Sequence, residues 1–400
     1  MRVLFLDAYF EPEQIAFTHL EHDLLEGLVY AGHEVEIVCP TPTRGLSQDK
    51  AEAYKKRKSE YMFSRHVHIT RFFAPQEGKS PIIRALRYFW CNLRTYQIGK
   101  DEKNIDVVFC NSTPPTQGWI AGKVAKKLHA PLIYSLQDVF PDSLVTTGMT
   151  SKESVLWKIG RKLEDATYKK CKKIIVISES IKKNLIQKGV NPRKLEVISN
   201  WIDTDAIQPV PREDNRLFDE FGINKDKFIV LYAGNFGAAQ GAEIVLEVAE
   251  MLRDQKDMQF VIFGGGTGYQ AAVDKAGSLP NVFIHPLLPQ DRIAEVYSMG
   301  DVAIITCKKG IGKSGMPSKT WSIMACNTPI IACFDIDSEL ADVIKAANAG
   351  LCVGPEDKSK LCDGILSFSK NGSCYLIRDY VKRYASKEKC VNMYLKNFQE

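Results

Sequence analysis

Short apolar runs alternate with longer amphipathic stretches along the whole chain. In the first half Arg2–Leu6, Glu34–Cys39, His68–Phe72, Val107–Asn111, Leu132–Leu136, Ile174–Ser178 and Leu195–Ser199 read as strands. Helical patterns fall between them, as in His19–Ala31, Trp119–Leu128, Ser154–Cys171 and Ser180–Lys188. Strands that stay apolar on both faces, each followed by a helix, mark a parallel, doubly wound sheet. The segment Asp203–Arg212, with Pro209 and Pro211, breaks the pattern and reads as a linker. The alternation then restarts with strands at Phe228–Ala233, Gln259–Phe263, Val282–His285, Val302–Thr306, Pro329–Cys333 and Gly350–Val353. Helices Glu243–Arg253 and Arg292–Ser298 lie between these strands. The expected fold is α/β, with two Rossmann-like domains (residues 1–204 and 205–373) facing across a cleft at the carboxyl ends of their strands. The tail over 374–400 reads as one helix, Cys374–Phe398, packing back on the first domain.

Composition narrows this further. A 45% hydrophobic, 25% charged chain of 400 residues is globular and long enough for two domains. No apolar stretch approaches the ~18–20 residues that cross a bilayer, and the apolar start at Met1–Leu6 is too short for a signal peptide. The eleven cysteines form no CxxC pair and sit in strand-like runs, as Cys39, Cys110 and Cys307 do. They read as reduced and buried, so the protein is expected in the cytoplasm. A net charge of +5 is too mild for a nucleic-acid partner. The charge is uneven, however: residues 51–103 hold twelve Lys/Arg against five Asp/Glu, a net of +7 that leaves −2 for the remainder.

Three glycine-bearing loops follow strands of the second half. Gly264-Gly265-Gly266-Thr267-Gly268 comes too late in the chain, and with the wrong spacing, for a dinucleotide fingerprint; it reads as a turn bordering a nucleotide cleft. Gly234-Asn235-Phe236-Gly237-Ala238-Ala239-Gln240-Gly241 ends at a helix start, where free N–H groups favour an anion. Alone it would be a plain strand-to-helix loop. The third loop runs Gly315-Met316-Pro317-Ser318-Lys319-Thr320 into a helix, presenting hydroxyl, cation and hydroxyl in the first turn. A lysine there opposes the helix dipole, so a capping role explains it poorly, whereas a diphosphate would use it.

These residues resemble the family-4 glycosyltransferases of the GT-B fold, in the bacterial branch that builds surface polysaccharides. The resemblance rests on Tyr232-Ala233-Gly234-Asn235, Phe263-Gly264-Gly265-Gly266, Leu288-Pro289, Gly315-Met316-Pro317-Ser318-Lys319, Pro329-Ile330-Ile331-Ala332 and, earlier, Gln137-Asp138-Val139-Phe140-Pro141-Asp142-Ser143. It implies a nucleotide-sugar donor held by Gly234, Asn235, Gln240, Gly241, Gly264, Gly265, Ser318, Lys319 and Thr320. Two glutamates common in the family align with Ser314 and Ser322, and two phosphate-loop cations with Asn235 and Gln240. These departures leave Lys319 as the main cation and Glu339 as a substitute for the ribose-binding acid. The family's His-Asp pair aligns with Gln137-Asp138, which makes Gln137 the residue on the donor sugar. Asp138 is then the carboxylate that stabilises oxocarbenium-like charge or accepts the acceptor's proton.

The cluster His19-Leu20-Glu21-His22-Asp23 lacks the HExxH spacing, so no metal is expected; His19 is placed beside the acceptor. In Pro81–Gly99, Ile82, Leu86, Phe89, Trp90 and Leu93 share one helical face, and Arg84, Arg87 and Arg94 another. That is either a core helix with a solvated arginine edge or an interfacial helix on anionic lipid. The lipid-linked acceptors of the family favour the second, with Arg84, Arg87, Trp90 and Arg94 at the surface. The resemblance thus implies retaining, metal-independent transfer of a hexose or aminohexose, without a cofactor. The donor would be UDP-linked and the acceptor a polyprenyl-diphosphate-linked oligosaccharide, at the inner face of the plasma membrane. A GT-B epimerase or phosphorylase, or a non-catalytic scaffold of this fold, are the alternatives.

Overall fold

A computed structural model of the protein describes residues 1–13, 17–77, 80–146, 149–312, 315–371 and 376–399. The chain divides into two compact units, Met1–Ser199 with the chain from Cys390 on, and Asn200–Lys389. The first unit holds β1 (Arg2–Leu6), β2 (Glu34–Pro40), β3 (Ser59–Met62), β4 (Val67–Phe72), β5 (Val107–Asn111), β6 (Leu132–Leu136), β7 (Lys173–Val176) and β8 (Leu195–Val197). They form one sheet in the order β3-β4-β2-β1-β5-β6-β7-β8. All its pairings are parallel except that of β3, an antiparallel edge strand on β4 that the hydrophobic pattern does not reveal. Every residue of β5 and β6 is buried, as expected for strands covered by helices on both faces.

Four helices of this unit matter below: α1 (Thr18–Tyr30), α2 (Pro81–Gly99), α3 (Gln117–Leu128) and α4 (Val155–Lys170). The second unit is a six-stranded, all-parallel sheet of β9 (Phe228–Asn235), β10 (Met258–Gly265), β11 (Val282–Pro286), β12 (Val302–Thr306), β13 (Ile330–Cys333) and β14 (Gly350–Val353). Its order is β11-β10-β9-β12-β13-β14, the doubly wound arrangement whose order reverses between β9 and β12. Its helices include α5 (Glu243–Met251), α6 (Lys319–Ala325), α7 (Glu339–Ala346) and α8 (Ile377–Tyr384).

The tail is two helices, not one. α8 buries Ile377 and Val381 in the core of the second unit. After it, α9 (Lys387–Gln399) returns to the first unit, where Tyr394 and Phe398 pack on Phe109 at centroid distances of 6.3 and 5.6 Å. Gly27 on α1 makes that return possible: a Cβ there would lie 2.3 Å from Val391 Cγ1. Cys374, where the single helix was expected to begin, lies outside the described residues. The segment read as a linker is pinned to the second unit by the Arg378 guanidinium, which donates to the carbonyls of Thr204 and Ile207. Among the described residues no helix is long and apolar enough to cross a membrane.

Candidate functional site

A cavity of about 650 Å³ opens in the second unit at the reversal point of its sheet. β9 and β12 pair only over Val230–Leu231 and Val302–Ala303. Beyond that short ladder their carboxyl ends carry Ala233, Gly234 and Asn235 on one side and Thr306 and Cys307 on the other, and all five line the cavity. The position is where open α/β sheets bind their ligands.

Among the described residues, Lys319, the first residue of α6, is the basic residue on the cavity wall. Its ammonium donates to the Ala233 carbonyl at 3.0 Å and stands 4.5 Å from the centroid of the Tyr232 ring. It has no carboxylate partner among the described residues, and burial pulls its pKa down to about 8. A charge so placed is deficient in counter-charge, which an anion entering the cavity would supply. Gly234 is the reason the ammonium fits, because a Cβ at that position would lie 2.7 Å from Lys319 Nζ. Ser318 precedes Lys319 on the wall, is exposed, and makes no capping hydrogen bond. Gln240 also lines this cavity, in the loop that leads to α5, whose N-terminus carries no side-chain cap.

Other residues expected at a donor lie elsewhere. Thr320 is fully buried, its hydroxyl enclosed without a partner, so the side chain does not reach the cavity. Gly264 and Gly265 underpin the first loop instead of lining the site. A Cβ on Gly264 would meet the Phe236 and Tyr269 rings at 2.8 Å, and the Gly265 carbonyl accepts from Phe236 N at 2.7 Å. Gly241 has a left-handed backbone (φ +59°) that turns the loop, and a Cβ there would lie 3.3 Å from Lys308 Cγ. Glu339 opens α7, half-buried and off the cavity wall. Of the two aligned glutamate positions, Ser322 is buried inside α6 and Ser314 lies outside the described residues. Asp335, which no motif signals, is the organiser of the neighbouring loop: its buried carboxylate accepts from Gly310 N and Gly312 N, both at 2.9 Å.

In the first unit Asp138 stands exposed at the bend after β6, while Gln137 turns inward. The Gln137 amide donates to Ser135 Oγ at 3.3 Å, and that hydroxyl pairs with Tyr394 of α9 at 3.1 Å. At the same edge of the sheet lies a buried acidic pair. Asp7 after β1 and Glu21 of α1 are hydrogen-bonded to each other and to Asn111 at the end of β5. Burial pushes the Asp7 carboxyl up to about 7, and burial and the Asp7 charge together hold Glu21 well above its usual range. His19 is exposed at the start of α1, and among the described residues no group of acids, histidines and cysteines is arranged for a metal.

α2 sits with its faces reversed relative to a core helix. Ile82, Leu86 and Phe89 are 72%, 64% and 70% exposed, whereas Arg87 is 2% exposed. The expectation of Arg87 at a lipid surface is therefore wrong. Its guanidinium points inward, donating to the Pro75 carbonyl at 3.0 Å and Thr43 Oγ1 at 3.1 Å, with the Tyr9 ring 5.5 Å away. Two acids from distant segments lie near its charge: Glu13, whose pKa burial raises while Thr43, Arg44 and Arg87 oppose the shift, and Glu77, held low first by its hydrogen bonds from Arg44 and further by Arg87. Trp90 anchors the helix by donating to the Phe73 carbonyl at 2.9 Å, Arg94 bonds Gln97 at 2.8 Å, and Arg84 is exposed.

Comparison with known proteins agrees with this geometry. Residues 21–206 match the family described as Glycosyltransferase Family 4, and residues 213–388 that described as Glycosyl transferases group 1. The probable glycosyltransferase WbjE of Pseudomonas aeruginosa is 30% identical over 236 residues, 56% of each chain. The putative colanic acid biosynthesis glycosyl transferase WcaI of Escherichia coli K12 is 25% identical over the whole of both chains. The present chain thus spans about half the length of the first relative and all of the second. Among solved structures, sucrose-phosphate synthase from Thermosynechococcus elongatus matches with a TM-score of 0.72 at 16% identity, over 100% of this chain and 98% of that one. Anabaena Alr3699/HepE in complex with UDP matches with a TM-score of 0.71 at 13% identity over the full length of both. With the two family matches together spanning nearly the whole chain, and with two Rossmann-like units, the protein is a glycosyltransferase of family 4 with the GT-B fold.

Proposed function

We propose that this glycosyltransferase moves a hexose or aminohexose from a UDP-sugar, with retention and without a metal, to a polyprenyl-diphosphate-linked oligosaccharide. The product would be capsule, O-antigen or exopolysaccharide. The observation that carries the donor reading is Lys319: a cation of pKa about 8 with no carboxylate partner among the described residues, on the wall of a cavity of about 650 Å³. Gly234, Asn235, Gln240, Gly241 and Ser318 would approach the diphosphate with backbone N–H groups and short polar side chains. UDP is favoured because Anabaena Alr3699/HepE, a protein of the same fold, is solved in complex with UDP. Polysaccharide assembly is favoured because a full-length relative is named for colanic acid biosynthesis.

In this reading Asp138 stabilises positive charge developing at the anomeric carbon or receives the proton of the acceptor hydroxyl. Gln137, tied to Ser135, acts by fixing the backbone on which Asp138 stands. Glu339, at the start of α7, is assigned to the ribose. His19, exposed at the start of α1, is assigned to the acceptor side. The outward apolar face of α2, with Trp90 beside Arg84 and Arg94, would seat the enzyme on the inner face of the plasma membrane, where lipid-linked acceptors reside. The test is a thermal-shift panel of UDP-, GDP-, dTDP- and CMP-sugars. A UDP-sugar at 100 times its Kd should stabilise the protein by ~2.7 kcal/mol. No shift with any UDP-sugar would reject the donor assignment.

A further inference from the structure

Beside the outward face of α2 lies a second cavity, of about 670 Å³, in the groove between α2 and α3. We propose that this groove is a headgroup site for an anionic bilayer phospholipid, its phosphate held by lysines of α3 and α4 and its first chain carbons by aromatic residues of α2 and α3. The inference rests on the membrane-seating reading of α2.

The groove has two chemically distinct walls. Phe89, Leu93 and Tyr96 fall on one face of α2 at helical spacing and supply the apolar wall. Phe89 and Leu93 also belong to the exposed face, so the groove opens directly off the surface that would meet lipid. The other wall is cationic. Trp119, Lys123 and Lys127 recur every fourth residue along α3, and Lys126 stands beside them. Lys123 Nζ lies 3.6 Å from the centroid of the Trp119 ring, and Lys170, the last residue of α4, reaches to 5.8 Å.

Lys170 gets there because α3 carries Gly122, where a Cβ would lie 2.6 Å from Lys170 Cδ. The missing side chain lets the lysine stem cross α3 to the groove. None of the four lysines pairs with a carboxylate among the described residues, and burial together with Lys123 and Lys126 lowers the Lys170 pKa. Four crowded cations without counter-charge, on an apolar floor, are complementary to a phosphate attached to hydrocarbon. A free phosphate would leave the apolar wall unused.

The location separates this site from the acceptor's reacting end. The groove reaches His129, in the turn from α3 into the start of β6, whereas Gln137 and Asp138 follow the end of β6. It sits toward the opposite edge of the sheet, where a bilayer lipid would anchor the enzyme without occupying the reaction centre.

The test uses dihexanoyl-phosphatidylglycerol below its micellar concentration, titrated into the full-length protein by calorimetry. Controls are dihexanoyl-phosphatidylcholine and glycerol 3-phosphate. Saturable binding of the anionic lipid alone is expected. It should weaken at least tenfold in Lys123→Gln/Lys126→Gln/Lys170→Gln, whose changes are all at exposed positions, and measurably in Gly122→Ala, which alters no charge. Equal binding by the triple variant would overturn the proposal, as would equal binding of phosphatidylcholine. Glycerol 3-phosphate binding as tightly as the lipid would show a free-phosphate site and equally reject it. Flotation with anionic vesicles separates the two readings. Wild type that fails to float while binding the short lipid refutes membrane seating by α2 but supports the groove. Wild type that floats without binding the short lipid refutes the groove alone.

Discussion

Replacing Lys319 by Met removes one charge and keeps most of the stem, so two opposite effects should separate. The ammonium is held by one carbonyl at 3.0 Å and one aromatic face, with its pKa pulled down to about 8 by burial. A base whose folded pKa lies below its unfolded value of 10.5 is disfavoured by folding while charged, so the charge destabilises the free protein fully below about pH 8 and progressively less from there to pH 10.5. Lys319→Met should therefore raise the melting temperature of the free enzyme at pH 7, by an amount that shrinks toward pH 10. The same variant should lose a charge-assisted hydrogen bond to the diphosphate, worth ~1.5–3 kcal/mol, or roughly 10- to 150-fold in Kd. In wild type, a bound diphosphate restores the lysine's affinity for its proton, so UDP-sugar binding should be flat below pH 7. It should weaken toward tenfold per unit above pH 8, where each event takes up a proton. Gly234→Ala should mimic the affinity loss without the charge change, since the new Cβ would occupy the space 2.7 Å from Nζ. Calorimetry from pH 6.5 to 9 in two buffers of different ionisation enthalpy reads both affinity and proton uptake. Unchanged affinity in a folded Lys319→Met protein, or wild-type binding independent of pH through 8, would refute the reasoning.

Asp138→Asn should lower kcat ~100-fold or more with donor Kd nearly unchanged, and near-normal turnover in initial-rate assays would move the catalytic carboxylate elsewhere. The Asp7 carboxyl, raised to about 7 from an unfolded value near 3.8, favours the fold fully below pH 3.8 and loses that contribution as pH rises through 7. Asp7→Asn should consequently gain in melting temperature relative to wild type at pH 8 compared with pH 5, and an equal difference at both values would exclude the buried pair as its cause. Arg87→Ala, which removes a buried guanidinium bonded to the Pro75 carbonyl and Thr43 Oγ1 and leaves those acceptors without it, should cost about 1–3 kcal/mol in urea unfolding. Leu86→Ser/Phe89→Ser should leave stability within ~0.5 kcal/mol, because both side chains are exposed, yet abolish flotation with anionic vesicles.

The parallel strands were legible because each is an uninterrupted apolar run buried on both faces; Val302–Thr306 and Val107–Asn111 are complete examples. β3 was not, because Ser59-Glu60-Tyr61-Met62 is a short, half-exposed edge strand following four basic residues, and edge strands are built from polar residues. α2 was legible as an amphipathic helix but not in its orientation. What turns Arg87 inward is a set of partners at Tyr9, Thr43 and Pro75, which no local pattern connects to it. At the cavity, Lys319 stood out by opposing its helix dipole, but Thr320 could not be separated from it in sequence. One residue further around the helix turns its side chain from the wall into the core. At Gly264 close packing against Phe236 and Tyr269 already calls for glycine, and a glycine's need for close packing and its need for a ligand read alike in sequence. Asp335 had no signal, because its function is to bind two backbone N–H groups twenty-odd residues earlier.

The central claim is transfer of a sugar from a UDP-linked donor held by the cavity of the second unit. The most direct measurement incubates the enzyme with each UDP-hexose and UDP-aminohexose and a short-chain polyprenyl-diphosphate oligosaccharide, and follows UDP release and acceptor mass together, with the anomeric configuration of the product read by NMR. One UDP-sugar should yield UDP and an acceptor heavier by one sugar residue in equal amounts, with the donor's anomeric configuration retained and the rate abolished in Gly234→Ala/Lys319→Met. Equal turnover in that double variant, or transfer from only a non-uridine donor, would contradict the account.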